Sequence, residues 1–262
     1  MTLSMSFMIA LLLIFVRTVS LIGTAPLFGN AQIPSLYKIG LAAYLAFVVA
    51  VGLPSRDIGG FASIGLPWLI VLIMLEAFTG IALGMMAGVV FAAIQFAGEL
   101  LDMQVGFSMA NVMSPGSLGP SGLLSNLYYV IFGLWFLSIN GHHAVILALF
   151  YSFKIIPLGA AVFNGSVAQV MLRALVSLFL LGVQLSAPVM LSLFLTNLSM
   201  AVASRAVPQM NVFVVGLPVT LLVGWAAIFV VLPGITTVMQ GAVTAFDQQI
   251  ASMISALRGV GG

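Results

Sequence analysis

The sequence predicts an all-α, polytopic, membrane-associated protein, and three observations predict it. Of its 262 residues, 63% are apolar and only 5% are charged, where an ordinary soluble domain charges roughly a quarter. From 103 to 153 there are 51 consecutive residues without Lys, Arg, Asp or Glu, enough for more than one helical crossing of roughly 20 residues. The long apolar stretches are punctuated by 27 Gly, 11 Pro and the few charges. Water cannot solvate a surface built this way, so a soluble monomer is excluded.

Taken in order, Met5–Val16 imitates the core of a secretory signal. No Lys or Arg precedes it, Arg17 follows it, and no small-x-small cleavage pattern lies downstream. It is therefore expected to be a mature first helix, near 5–22. Further helices are expected near 36–53, 66–97, 123–139, 143–156, 168–203 and 211–239, with a more mixed terminal segment at 241–258. The stretches 66–97 and 168–203 exceed a straight crossing, whereas 143–156 is shorter than the roughly 17 residues one requires. Short or broken apolar helices are tolerated where protein rather than lipid satisfies the backbone, so the pattern points to hairpins packed inside an assembly. Pro188 interrupts the second long helix and Pro218 and Pro233 the next; each removes an N–H and favours a kink or break. Arg17, Lys38, Arg56, Lys154, Arg173, Arg205 and Arg258 are scattered singly, so the positive-inside rule gives no topology.

Several function classes drop out. The net charge is only +2, which cannot neutralise many phosphates, so nucleic acid is not expected as a partner. Without cysteine there is no disulfide, Cys-ligated zinc or iron–sulfur cluster. His142 and His143 are adjacent and would point in different directions on a helix, unlike the i,i+4 pair of a zinc site. Glu99 and Asp102 could share a helical face, but solvating a helix end suits them better than acid–base work. No GxSxG, P-loop or dinucleotide fingerprint is present, so no catalytic residue, cofactor or metal is expected.

Two features stand out. Gly80, Gly84, Gly88 and Ala92 repeat a small residue every four positions, a ridge that lets another backbone approach closely, within the chain or between subunits. Glu76 lies one turn earlier on the same ridge, and a carboxyl among apolar helices needs a partner, a water-filled path or a local hydrogen bond. The segment Gly98–Gly122 collects Gly, Ser, Asn and Pro and is not expected to remain regular helix. A loop of this length in a compact helical protein is functional more often than passive. Its Met103, Phe107, Met109, Val112 and Met113 are unusual for a solvated turn, and thioethers fill irregular gaps without a fixed shape.

The C-terminal half carries Ala187-Pro188, Asn197, the dense run Arg205-Ala206-Val207-Pro208-Gln209-Met210-Asn211-Val212-Phe213, and Gly216-Leu217-Pro218. Earlier marks are Arg17, Pro26, Pro34, Lys38, Pro54, Glu76, Gly80, Gly84, Gly98-Glu99, Gly106, Pro115-Gly116 and Asn140-Gly141-His142. Together these resemble the FliR/SctT family of type III secretion export-gate proteins along nearly the whole chain. Ala201 stands where that family commonly has glycine, and Thr220 where a basic residue is frequent. The resemblance leans to the flagellar branch over the injectisome. It implies a non-enzymatic subunit of the bacterial inner membrane, at the flagellar basal body, joined to FliP-like and FliQ-like partners and to an FlhB-like switch protein. It also implies a fold like a FliP-like segment, 1–165, fused to a FliQ-like hairpin segment, 166–262, with 106–115 as a lumenal plug. On that reading Gly106, Phe107, Met109, Val112, Met113, Pro115 and Gly116 form the gate through which unfolded substrates pass. Glu76, Gly80, Gly84, Gly88, Arg205, Pro208, Gln209 and Asn211 serve subunit packing. The competing reading is a stand-alone secondary transporter of a small solute, for which broken helices and Glu76 would mark a midplane site.

Overall fold

The computed structural model describes residues 5–30, 32–52, 65–106, 122–206 and 212–259. Among these there are helices and turns and no strand: α1 (Met5–Thr24), α2 (Ser35–Gly52), α3 (Leu66–Val105), α4 (Leu123–Ser138), α5 (Gly141–Ile155), α6 (Gly165–Ala206) and α7 (Val212–Leu257). The expected all-α class is what the chain adopts. Five helical stretches are long and apolar enough to cross a membrane, and α4 with α5 would form a sixth, bent by 71° at its break. Asn140 makes that break by taking a left-handed conformation, φ 60°, which asparagine tolerates better than most residues.

Two boundaries differ from the sequence reading. The helix expected to stop near 97 continues to Val105, because Glu99–Val105 are mostly good helix formers and Leu101 and Val105 are buried. It stops at Gly106, whose φ of +93° and N–H donated to the Asp102 carbonyl, 3.2 Å, are those of a glycine helix terminator. The mixed segment 241–258 is no separate element but the end of α7. Phe246, Ile250, Met253 and Leu257 are all buried, a three–four spacing that lays one stripe of the helix on the core of its unit. Pro188, Pro218 and Pro233 lie inside continuous helices. Each deletes one rung of a very long hydrogen-bond ladder, and no break results.

The chain divides into two compact units. The first gathers Met1–Val89, Leu137–Leu175 and Ala245–Gly262. Within it α1 and α2 form a hairpin, and the Val162 N–H donates to the Leu257 carbonyl at 2.8 Å. The second comprises Val90–Phe136 and Val176–Thr244. Here Phe91 of α3 meets Phe132 and Phe136 of α4 edge to face, with centroids 4.7 and 5.2 Å apart, a geometry that aligns ring edges with ring faces. Gly182 brings α6 against Phe96 and the Ala93 carbonyl of α3.

Candidate functional site

In the first unit, α1 carries one cation in an otherwise uncharged helix, and the part of α3 that belongs to this unit carries one acid. Arg17 and Glu76 are both fully buried and meet as an ion pair. Arg17 Nε donates to Glu76 Oε2 at 2.5 Å and Nη2 to Oε1 at 3.1 Å, a two-pronged fit that only guanidinium offers. Most of the remaining capacity is used as well. Nη1 donates to the Ile156 carbonyl at 3.1 Å and to Ser152 Oγ at 3.4 Å, and the guanidinium carbon lies 4.3 Å from the centroid of the Phe153 ring. Glu76 Oε1 also accepts the Gly159 N–H at 2.7 Å. Gly159 sits at φ +72°, a left-handed conformation in which glycine turns the chain toward the carboxylate without steric cost. The network ties α1, α3, α5 and the turn after α5 into one buried cluster. With the carboxylate sealed and its oxygens occupied, Glu76 offers no open face to a solute.

The small-residue ridge faces α1 of the same chain. A Cβ on Gly80 would strike the Arg17 carbonyl, and one on Gly84 would strike Thr24 Oγ1 and come within 2.8 Å of the Leu21 carbonyl. At Gly88 the nearest atom is the Thr24 carbonyl at 4.0 Å, so the close approach relaxes over two turns. Ala92 is exposed.

In the second unit, Asp102 and Glu99 differ sharply. Glu99 is exposed, whereas Asp102 is 4% exposed and accepts the N–H groups of Leu124 and Ser125 at 2.9 and 3.0 Å. Asp102 thus caps α4 from the end of α3, satisfying amides that the start of a helix leaves unpaired. Gly122 is needed there, since a Cβ would collide with the Asp102 carboxylate. Gly98 meets the same need a helical turn before Asp102, where a Cβ would strike the Ser125 backbone. Sequence reasoning assigns Asp102 to solvating a helix end; the end it serves belongs to another helix, and the carboxylate is buried.

Beside the end of α3 lies a cavity of about 490 Å³ lined by Gln104, Asn197, Met200, Ala201, Leu217 and Thr220, among others. Thr220 Oγ1 donates to the Leu217 carbonyl at 3.0 Å. Gly106 ends α3, while Phe107, Met109, Val112, Met113, Pro115 and Gly116 lie outside the described residues. Arg205 is exposed in the last turn of α6, where a cation complements the helix dipole; Pro208, Gln209 and Asn211 lie outside the described residues. The imidazoles of His142 and His143 do not diverge as expected, their centroids being 4.3 Å apart in the first turn of α5. Among the described residues no group of three potential metal ligands exists.

The profile described as Bacterial export proteins, family 1, matches residues 8–246, nearly the whole chain. The chain belongs to that family. Flagellar biosynthetic protein FliR of Bacillus subtilis (strain 168) is 34% identical over 258 residues, covering 96% of each chain. The protein of the same name from Escherichia coli (strain K12) is 32% identical over 241 residues, or 92% and 91% of the two chains. That of Aquifex aeolicus (strain VF5) is 33% identical over 238 residues, 90% of each. This family membership, with several apolar helices long enough to span a bilayer, makes the chain a membrane protein of the export type.

For this export-family protein the Asp102 cap has a measurable weight. Asp102→Ala would leave two amides without their acceptor, at a cost of about 1–3 kcal/mol each. Asp102→Asn keeps one acceptor oxygen and is expected to cost less. Hydrogen exchange at Leu124 and Ser125 checks this: both amides should exchange roughly tenfold faster or more in the Ala variant, and unchanged protection would show that the cap is dispensable.

Proposed function

We propose that this chain is a structural, gating subunit of the flagellar protein export channel in the bacterial inner membrane, at the basal body. On this reading it joins FliP-like and FliQ-like subunits and an FlhB-like switch protein, performs no chemistry, and helps form a conduit for unfolded proteins. Residues 1–165 correspond to the FliP-like segment and 166–262 to the FliQ-like segment. The observation that carries assembly is length. Helices α3, α6 and α7 have 40, 42 and 46 residues, or about 60, 63 and 69 Å at 1.5 Å per residue, roughly twice a 30 Å hydrocarbon core. On α6, exposed apolar side chains run from Leu172 to Val202, a span of about 45 Å. Lipid covers such a face only in part, even if the helix is tilted, and neighbouring subunits supply the rest. Exposed Arg205, with Pro208, Gln209 and Asn211, is assigned to such a contact.

The gate is assigned to Gly106–Pro115. An export gate must hold ions back yet admit an unfolded chain, which calls for an apolar constriction that excludes water at rest and yields to substrate. Phe107, Met109, Val112 and Met113 supply that character, and the left-handed Gly106 lets the backbone turn sharply at the loop's root. Deleting 107–113 should raise ion conductance of the assembled gate while its subunits still co-purify. Conductance unchanged from wild type, with assembly intact, would remove the plug assignment. The transporter reading gains nothing from Glu76, because its carboxylate is sealed by Arg17 and Gly159.

A further inference from the structure

Within the first unit, α5 and the last turns of α7 border a groove of about 460 Å³. Its floor is apolar and buried at Ala148, Ile250 and Ile254, while Leu147 and Tyr151 on its wall are 53% and 55% exposed. Small Ala251 and Ser255 line the α7 side, which allows another backbone to come close. One charge lies in this lining, Asp247. It is exposed and has no hydrogen bond or ion pair among the described residues. Of the other described carboxylates, Glu76 and Asp102 are buried and engaged, and Glu99, exposed like Asp247, does not line this groove.

We propose that this groove receives an apolar helix from another chain of the export apparatus, and that the helix bears a Lys or Arg opposite Asp247. The inference rests on the assembly reading above and adds a place and a chemistry to it. Acyl chains are a poor occupant, since they would strip a carboxylate of water without returning a partner. A cation on an apolar helix satisfies both the greasy wall and the charge, and the small residues let its backbone seat closely.

The chain lacks cysteine, so Ala251→Cys and Leu147→Cys each place a single thiol in the groove for a benzophenone–maleimide photo-cross-linker. The labelled full-length protein is irradiated in membranes of cells making the whole flagellar apparatus, and adducts are mapped by mass spectrometry. The expected adduct joins a different chain, on a helix with Lys or Arg within one turn of the attachment point. Adding Asp247→Lys should cut its yield about tenfold and Asp247→Asn less, and exchanging the partner's cation for Asp should restore the Asp247→Lys yield. An adduct to lipid, to a second copy of this chain or to a helix without a cation overturns the proposal, as does a yield indifferent to both Asp247 variants. The two readings fail separately: with no other chain co-isolated the assembly reading falls as well, whereas co-isolation with the adduct elsewhere overturns the groove alone.

Discussion

Glu76→Ala is expected to remove most of the folded protein from the membrane and to abolish swimming. The substitution leaves Arg17 fully buried with no counter-charge, and breaking one side of a buried pair costs about 3–5 kcal/mol. Against a total stability of about 5–15 kcal/mol, that is a fifth or more of what holds the fold. The Gly159 N–H also loses its acceptor. Arg17→Lys should be nearly as harmful, since an ammonium cannot bond both carboxylate oxygens and also reach the Ile156 carbonyl. The informative variant is the double one, Arg17→Met with Glu76→Leu. It removes both charges; the Gly159 amide and the Ile156 carbonyl lose a partner, at about 1–3 kcal/mol each, and Ser152 Oγ loses a donor while still donating to the Leu149 carbonyl. Accumulation measured by fluorescence-detected size exclusion should therefore recover in part in the double variant. If it fell below either single variant, the pair would be contributing more than mutual charge compensation. If Glu76→Ala alone accumulated normally, the buried network would not be holding α1, α3 and α5 together.

How much of this fold and site is legible in sequence depends on the range of each interaction. Uniform hydrophobicity and the scarcity of charge are enough to place seven helices, because a bilayer-scale apolar run leaves the backbone no other way to satisfy itself. Glu76 is visible as a carboxyl in need of a partner. Its partner is not, since Arg17 lies 59 positions away and reads locally as the residue ending a hydrophobic run. Asp102 misleads for a related reason. Its spacing to Glu99 suggests a shared solvent face, but the amides it caps lie 22 and 23 positions downstream, and no local pattern announces such a cap. Gly98 and Gly122 are the available signals: two glycines, one on each side, mark where a hairpin closes tightly. The end of α7 is obscured in the opposite way, because its stripe of buried residues is interrupted by exposed polar ones such as Asp247, Gln248 and Ser252. The Met-rich segment is legible in sequence as an apolar loop, and its assignment as a plug belongs to experiment.

The ridge of Gly80, Gly84 and Gly88 yields a graded series of opposite signs. Gly80→Ala is expected to be the most damaging, because the new methyl would overlap the Arg17 carbonyl, a backbone atom of the very residue that forms the ion pair. Backing α1 off to relieve it would pull the guanidinium from Glu76, so an overpacking cost of about 1–3 kcal/mol would be compounded by partial loss of the pair. Gly84→Ala meets Thr24 Oγ1, which can rotate, and the Leu21 carbonyl at 2.8 Å, which cannot; an intermediate loss is expected. Gly88→Ala finds only the Thr24 carbonyl at 4.0 Å, ordinary contact, and the gain in helix propensity is worth up to about 1 kcal/mol, so stability should hold or rise. Thermal unfolding of the three purified variants in detergent reads the order directly. The same series separates packing within the chain from packing between subunits. If α1 is what the ridge meets, the ranking persists in the isolated chain; if Gly88→Ala is harmless there yet prevents co-purification with partner subunits, the outer end of the ridge serves an interface that the chain alone leaves open.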